Sequence, residues 1–211
     1  MSVAKTTALS VVLPPTWWWI PLAPDDARVR AVDKLVDTQF KGVDDQPILK
    51  RHLRDQLLEA TTSAFQGQGR VMAISLHRVG DIPVPATMTI YDVRTGMSPP
   101  GVGMTPLEMV QGHLAARDDT GAGPSEDRDT AEVNAGPVLR RVVERQPSED
   151  AGDDEQPMLV ADYWVQNPSA DGVAKVTFST PLVPLREAMV ELFDAVLGTA
   201  AWEQDAVGSS T

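Results

Sequence analysis

Cysteine is absent from this 211-residue chain. That excludes disulfides, thiolate nucleophiles and cysteine-ligated zinc, and with no disulfide to maintain the chain suits a reducing cytoplasm. Histidine is nearly as scarce. His52, His77 and His113 are the only three, and none belongs to a paired metal spacing such as H-E-x-x-H, so each is expected to be structural or exposed. No serine sits in a G-x-S-x-G elbow. Gly101 and Gly103 precede a helix start but lack a third glycine, a lysine and a leading apolar strand, so they read as a flexible loop. Basic residues are outnumbered by acidic ones, 18 to 30, for a formal net charge of -12. Nucleic-acid binding runs on cations that neutralise phosphates, and docking on anionic lipid needs the same sign, so the charge argues against both. No apolar run approaches the roughly 20 residues of a membrane-spanning helix. The stretch from Ala8 to Leu13 is too short for the core of a signal peptide. A soluble cytoplasmic protein is expected, with no catalytic residue, no metal site and no cofactor.

What is present is a patterned globular sequence, 42% hydrophobic and 23% charged, which is enough for a sizeable core. Leu9, Val11 and Leu13 alternate as a strand that Pro14 and Pro15 end. Pro24 followed by Asp25 and Asp26 opens a helix carrying Val29, Val32, Val36 and Phe40 at helical spacing and stopping at Gly42. Asp44, Asp45 and Pro47 open a second, with Ile48, Leu49, Leu53, Leu57 and Ala60 as its stripe, ending at Gly67 to Gly69. Two helices on a short loop should lie antiparallel over one sheet face. Residues 70–79 and 86–93 read as a hairpin around a turn from Gly80 to Pro85. Thr105, Pro106 and Glu108 form a capping box for a helix to about Ala116. Residues 138–146 read as a strand with a solvated side. Residues 158–167 and 173–179 follow as a pair of strands turning at Pro168 to Gly172. Thr180 then opens a final helix, ending near Gly198, with Leu185, Met189, Leu192, Phe193 and Val196 on one stripe. Two acidic loops are expected, near 117–129 and 147–156. The second could invite calcium but lacks the ligand alternation of a calcium loop, so solvation is the reading. Residues 205–211 should be a disordered tail. A single α+β domain over 1–204 is expected, its largely antiparallel sheet flanked by helices.

Trp17, Trp18 and Trp19 are the most unusual local feature. Side chains alternate along a strand, so Trp17 and Trp19 should point one way and Trp18 the other, leaving a ring at risk of exposure. Exposed aromatic rings are common anchors of protein interfaces. Trp17, Trp18 and Trp202 are the expected partner-binding residues.

Three stretches carry a family resemblance: Leu13 to Trp18, Tyr163 to Val165, and Val176 to Pro181 leading into Glu191 to Val196. The chain resembles actinobacterial proteins of this length, and its element order resembles the PsbP-like (Mog-type) α/β/α sandwich. In that family a leucine-proline-x-x-tryptophan strand joins an antiparallel sheet and a closing helix packs across it; Phe193 to Val196 matches the closing motif. The resemblance implies binding, assembly or chaperone work rather than catalysis, and supplies no catalytic residue to carry over. The expected function is a non-catalytic cytoplasmic protein-binding domain, an assembly factor or chaperone associated with a secretion system. The alternatives are an immunity or antitoxin-like protein that covers a basic toxin site with its acidic surface, and an unrecognised hydrolase, which would show a histidine and a carboxylate in a deep pocket. The partner is another protein.

Overall fold

The computed structural model describes residues 7–42, 46–80, 82–94, 103–118, 126–147, 156–168 and 172–204. In chain order the elements are β1 (Thr7–Ser10), β2 (Trp17–Pro21), α1 (Asp25–Gln39), α2 (Pro47–Gln66), β3 (Gly69–Ser75), β4 (Arg78–Val79), β5 (Ile82–Pro83) and β6 (Thr87–Arg94). They continue with α3 (Pro106–Asp118), β7 (Glu126–Val133), β8 (Gly136–Arg145), β9 (Met158–Gln166), β10 (Gly172–Thr180), α4 (Arg186–Gly198) and β11 (Ala201–Gln204). The class is α+β, with antiparallel strands flanked by helices. Two compact units are built, one from Pro14–Asp92 and one from Met1–Leu13 with Val93–Thr211.

In the unit of residues 14–92, β3 lies between β2 and β6 and is antiparallel to both, with Trp18 opposite Ile74 and Ala73 opposite Met88. Helix α1 starts where expected, with Asp25 and Asp26 in its first turn. Antiparallel packing of α1 on α2 shows in two ion pairs at complementary positions, Asp37 with Lys50 at 2.8 Å and Asp33 with Arg54 at 2.7 Å. Ile20 of β2 and Val32, Leu35 and Val36 of α1 form the core beneath them, with Leu53 and Leu57 of α2 packed against it. Gly69 allows α2 to run directly into β3: a Cβ there would fall 2.7 Å from the Ala64 carbonyl oxygen and 2.8 Å from Leu22. The expected long hairpin is shorter than its sequence suggests. Strand β3 ends at Ser75, and β4 and β5 make a separate two-residue pairing, Val79 opposite Ile82. Pro83 and Pro85 on the returning arm have no N–H to donate to a longer ladder.

In the other unit, the strands run β10–β9–β8–β7, each antiparallel to its neighbour, and β1 pairs with β11. Seven consecutive residues of β9, Leu159 to Val165, are buried, so both faces of this strand are covered. Odd-numbered residues of β9 face α4: Tyr163 meets Phe178 edge-on at 5.7 Å, and Phe178 stacks on Phe193 of α4 at 4.6 Å. Trp164 lies on the opposite face, packed with Leu139 and Val173 against Leu107 and Leu114 of α3. The capping box forms as expected: the Thr105 N–H donates to Glu108 Oε2 at 2.6 Å, and the Glu108 N–H donates to Thr105 Oγ1 at 3.2 Å. A short 3-10 turn, Val183–Leu185, precedes α4 in place of the expected helical start at Thr180.

Two expectations are corrected. Residues 117–129 are not one mobile loop, because α3 runs to Asp118 and β7 begins at Glu126. Three acidic residues of β7 have cationic partners: Glu126 accepts from Arg128 and Arg141, Asp129 pairs with Arg140 at 3.6 Å, and Asp127 accepts from Arg186 at 2.6 Å. Strand β11 was not anticipated either; its pairing with β1, Leu9 opposite Trp202, fixes the segment after α4. The second helix's Asp44 and Asp45, Gly101, the loop parts at 119–125 and 148–155, and the tail from 205 lie outside the described residues.

Candidate interaction site

The tryptophans come first because they were the expected contact residues. Strand alternation places Trp18 toward the helices, where it packs against the Ile20–Val32–Leu35–Val36 core with the Lys34 ammonium 5.5 Å from its ring centroid. Its indole N–H is buried without a hydrogen-bond partner. Trp17 is 7% exposed and belongs to the core. Trp19, on the same side of the strand as Trp17, is the open ring at 42%. In the other unit, Trp202 is half-buried and its indole N–H donates to the Ala135 carbonyl at 2.9 Å, tying β11 to the β7–β8 turn. The structure therefore keeps Trp17 and Trp18 adjacent on β2 and gives Trp202 a bracing hydrogen bond.

A second site emerges at the end of the four-strand run. Strand β7 is terminal there, with β8 its one neighbour among the described residues. Beside it lies a cleft of about 350 Å³ lined by Gln111 and Leu114 of α3, Arg128, Asp129 and Thr130 of β7, and Leu139 of β8. Its volume falls at the small end of the range for ligand sites, roughly 300–1,000 Å³. Leu114 and Leu139 are buried and give it an apolar floor. The amide of Gln111, the hydroxyl of Thr130 and the charges of Arg128 and Asp129 supply its polar rim. None of the three histidines lines it, and all three are exposed.

A row of charges crosses the sheet on the cleft side. Asp162 of β9 is 1% exposed. Its Oδ1 accepts from Thr177 at 2.7 Å and pairs with Lys175 at 2.9 Å, while Arg141 stands 3.6 Å from Oδ2. Arg141 and Arg128 both donate to Glu126 of β7. Burial works to raise the Glu126 carboxyl pKa, but the hydrogen bonds from Arg141 and Arg128 outweigh it and hold the group below its usual range. On the far face, Asp194 of α4 accepts from the Tyr163 hydroxyl at 2.7 Å and from Arg140 at 2.5 Å. Burial, and then Asp194, push the Tyr163 phenol well above its usual pKa. These side chains hold strands and helices in register; they do not converge on a space where a substrate atom could sit.

Sequence reading missed the cleft because three of its six lining residues, Arg128, Asp129 and Thr130, come from a segment read as loop or left unassigned. The signal was present in the charges of Arg128 and Asp129, which stand opposite Arg141 and Arg140 of β8.

No family model matches the sequence, and no curated protein matches it. Two solved structures are similar over most of the chain. LpqN, involved in cell envelope biogenesis of Mycobacterium tuberculosis, superposes with a TM-score of 0.47 at 10% identity, covering 94% of this chain and 84% of that one. The Ran-binding protein Mog1p of Saccharomyces cerevisiae gives 0.46 at 10% identity, covering 94% and 95%. At such scores neither likeness carries an argument about function.

Proposed function

We propose that this chain is a non-catalytic protein-binding domain whose docking site is the terminal strand β7 with the cleft beside it. One observation carries the reading: an eight-residue strand with no proline ends its run next to a 350 Å³ cleft floored by leucines. A terminal strand presents unpaired main-chain groups, and strand addition is a recurring mode of peptide recognition. The net charge of -12 favours a basic partner, as an immunity-like protein would have. Work as an assembly factor or chaperone beside a secretion system belongs to the same proposal, as do the finer PsbP-like (Mog-type) assignment and the cytoplasmic location. Among the described residues no helix is long and apolar enough to cross a membrane.

A second reading rests on the exposure of Trp19 and places contact on β2, at Trp17, Trp18 and Trp19; Trp202, in the other unit, is a separate candidate contact. A photo-crosslinking residue placed singly at Gln111, Trp19, Trp202 or Glu59 in the native host separates the two. A discrete partner adduct from Gln111, with none from Glu59 on the exposed side of α2, supports the β7 site. An adduct from Trp19 or Trp202 and none from Gln111 overturns it in favour of the tryptophans.

A further inference from the structure

Two terminal strands, β2 in one unit and β7 in the other, are guarded differently, and the guard on β7 points to the chemistry of its partner. Strand β2 ends in Pro21 and is preceded by Pro14 and Pro15, which have no N–H to offer an added strand. Strand β7 has no proline. Its protection is charge: Glu126, Asp127, Asp129 and Glu132 against Arg128. At its centre the Thr130 N–H donates to Oδ1 of the neighbouring Asp129 at 2.8 Å, so a side chain occupies the position where an incoming carbonyl would bond. That cap is weakly held. The side chain of Asp129 is 65% exposed, and its ion pair with Arg140 is long at 3.6 Å.

We propose that β7 receives a basic, extended segment of a partner protein as an added strand, and that a lysine or arginine of the segment displaces Asp129 from the Thr130 N–H. The inference deepens the β7 docking reading and rests on it. A carboxylate bonds a cation more strongly than a neutral amide N–H, so an arriving cation draws Asp129 away. The freed Thr130 N–H then takes a main-chain carbonyl. A second copy of β7, or any acidic strand, meets like charges directly opposite and is rejected, while a basic strand meets opposite ones. Alternate side chains of the added strand fall on the α3 side, next to the cleft floored by Leu114 and Leu139, which suits aliphatic residues. The partner class is a segment alternating basic and aliphatic residues.

The test is amide NMR of the full chain titrated with a ten-residue peptide alternating lysine and leucine, and separately with its glutamate–leucine counterpart. The lysine peptide should shift the signals of residues 126–133 with Gln111 and Leu114, the Thr130 amide most. Asp129→Asn should weaken that binding about threefold or more, the size of one exposed ion pair. Glu59→Gln, which removes the same charge from α2, should leave it unchanged. If the glutamate peptide shifts β7 equally, the basic-partner inference is overturned and docking at β7 stands. If neither peptide moves the β7 signals, strand addition is overturned, and the crosslink from Gln111 decides separately whether a partner docks there.

Discussion

The two faces of β9 are built by different means. On the α4 side, Tyr163, Phe178 and Phe193 stack into an aromatic column, and the Asp194 carboxylate has both a hydroxyl and a guanidinium donor. On the α3 side, Trp164 packs with leucines at one end, and a buried carboxylate holds three strands together at the other. Asp162 Oδ2 is buried without a hydrogen bond there, while both oxygens of Asp194 have partners. The difference teaches where this unit keeps its stability and where it keeps polar groups that a partner can reorganise. The aromatic column is buried and closed to solvent. A charge row is directional, and its outer end at Glu126 and Arg128 reaches the cleft.

The largest effect should come from the aromatic side. Phe193 is fully buried against Phe178, and Phe193→Ala should cost about 3–5 kcal/mol by lost transfer energy and cavity formation. Chemical denaturation measures it; a loss under about 1 kcal/mol would mean that α4 is not seated on this face. Asp162→Ala comes next. It removes the buried carboxylate that pairs with Lys175 and Arg141, and because both cations are partly exposed and Arg141 keeps Glu126, the cost should be about 2–3 kcal/mol, below that of a fully buried pair. Asp162→Asn keeps an acceptor for Thr177 and should lose less. If Asp162→Ala equals or exceeds Phe193→Ala, the assignment of stability to the aromatic side is wrong.

The two faces should also fail at opposite ends of the pH scale. Glu126 has a depressed folded pKa, so its contribution is present above the usual value of 4.5 and is lost as pH falls through the folded pKa. Tyr163 has a raised folded pKa, so its contribution is complete below the usual 10.0 and is lost as pH rises beyond it. Glu126→Gln should flatten the acid limb of a stability–pH curve and leave the alkaline limb alone. Tyr163→Phe should do the reverse. Both limbs responding to one substitution would show the two networks to be coupled through the sheet.

How much of this was legible beforehand follows from which physical signal each element used. Helices α1 and α4 were readable because their buried stripes recur at helical spacing, Val32 and Val36 or Met189, Phe193 and Val196 among them, whereas α2 forms although Ile48, Leu49 and Ala60 of its expected stripe are exposed. Strands β9 and β10 were readable from apolar content and a turn between them. Strand β7 was not, since its own residues are mostly charged and polar and are held by ion pairs, and composition alone cannot tell a solvated loop from an ion-paired edge. The cleft inherited that blindness. The burial of Trp17 was equally out of reach: alternation gives the side on which a ring lies, while what covers that side is a tertiary fact.

The smallest effect sharpens the comparison on the α3 side. Helix α3 is anchored at its start by the reciprocal bonds of Thr105 and Glu108, and Leu107 and Leu114 are its buried contacts. Thr105→Ala removes one of two N-terminal caps and should cost about 1 kcal/mol. If α3 is the more loosely held cover, this small loss should appear locally. Amide exchange of residues 106–118 should quicken while that of α4 stays unchanged, because a local opening needs less free energy than global unfolding. Equal quickening in both helices would mean that α3 opens only when the whole unit does. The wall formed by Gln111 and Leu114 would then be a fixed part of the cleft, and a partner would have to fit it without any movement of α3.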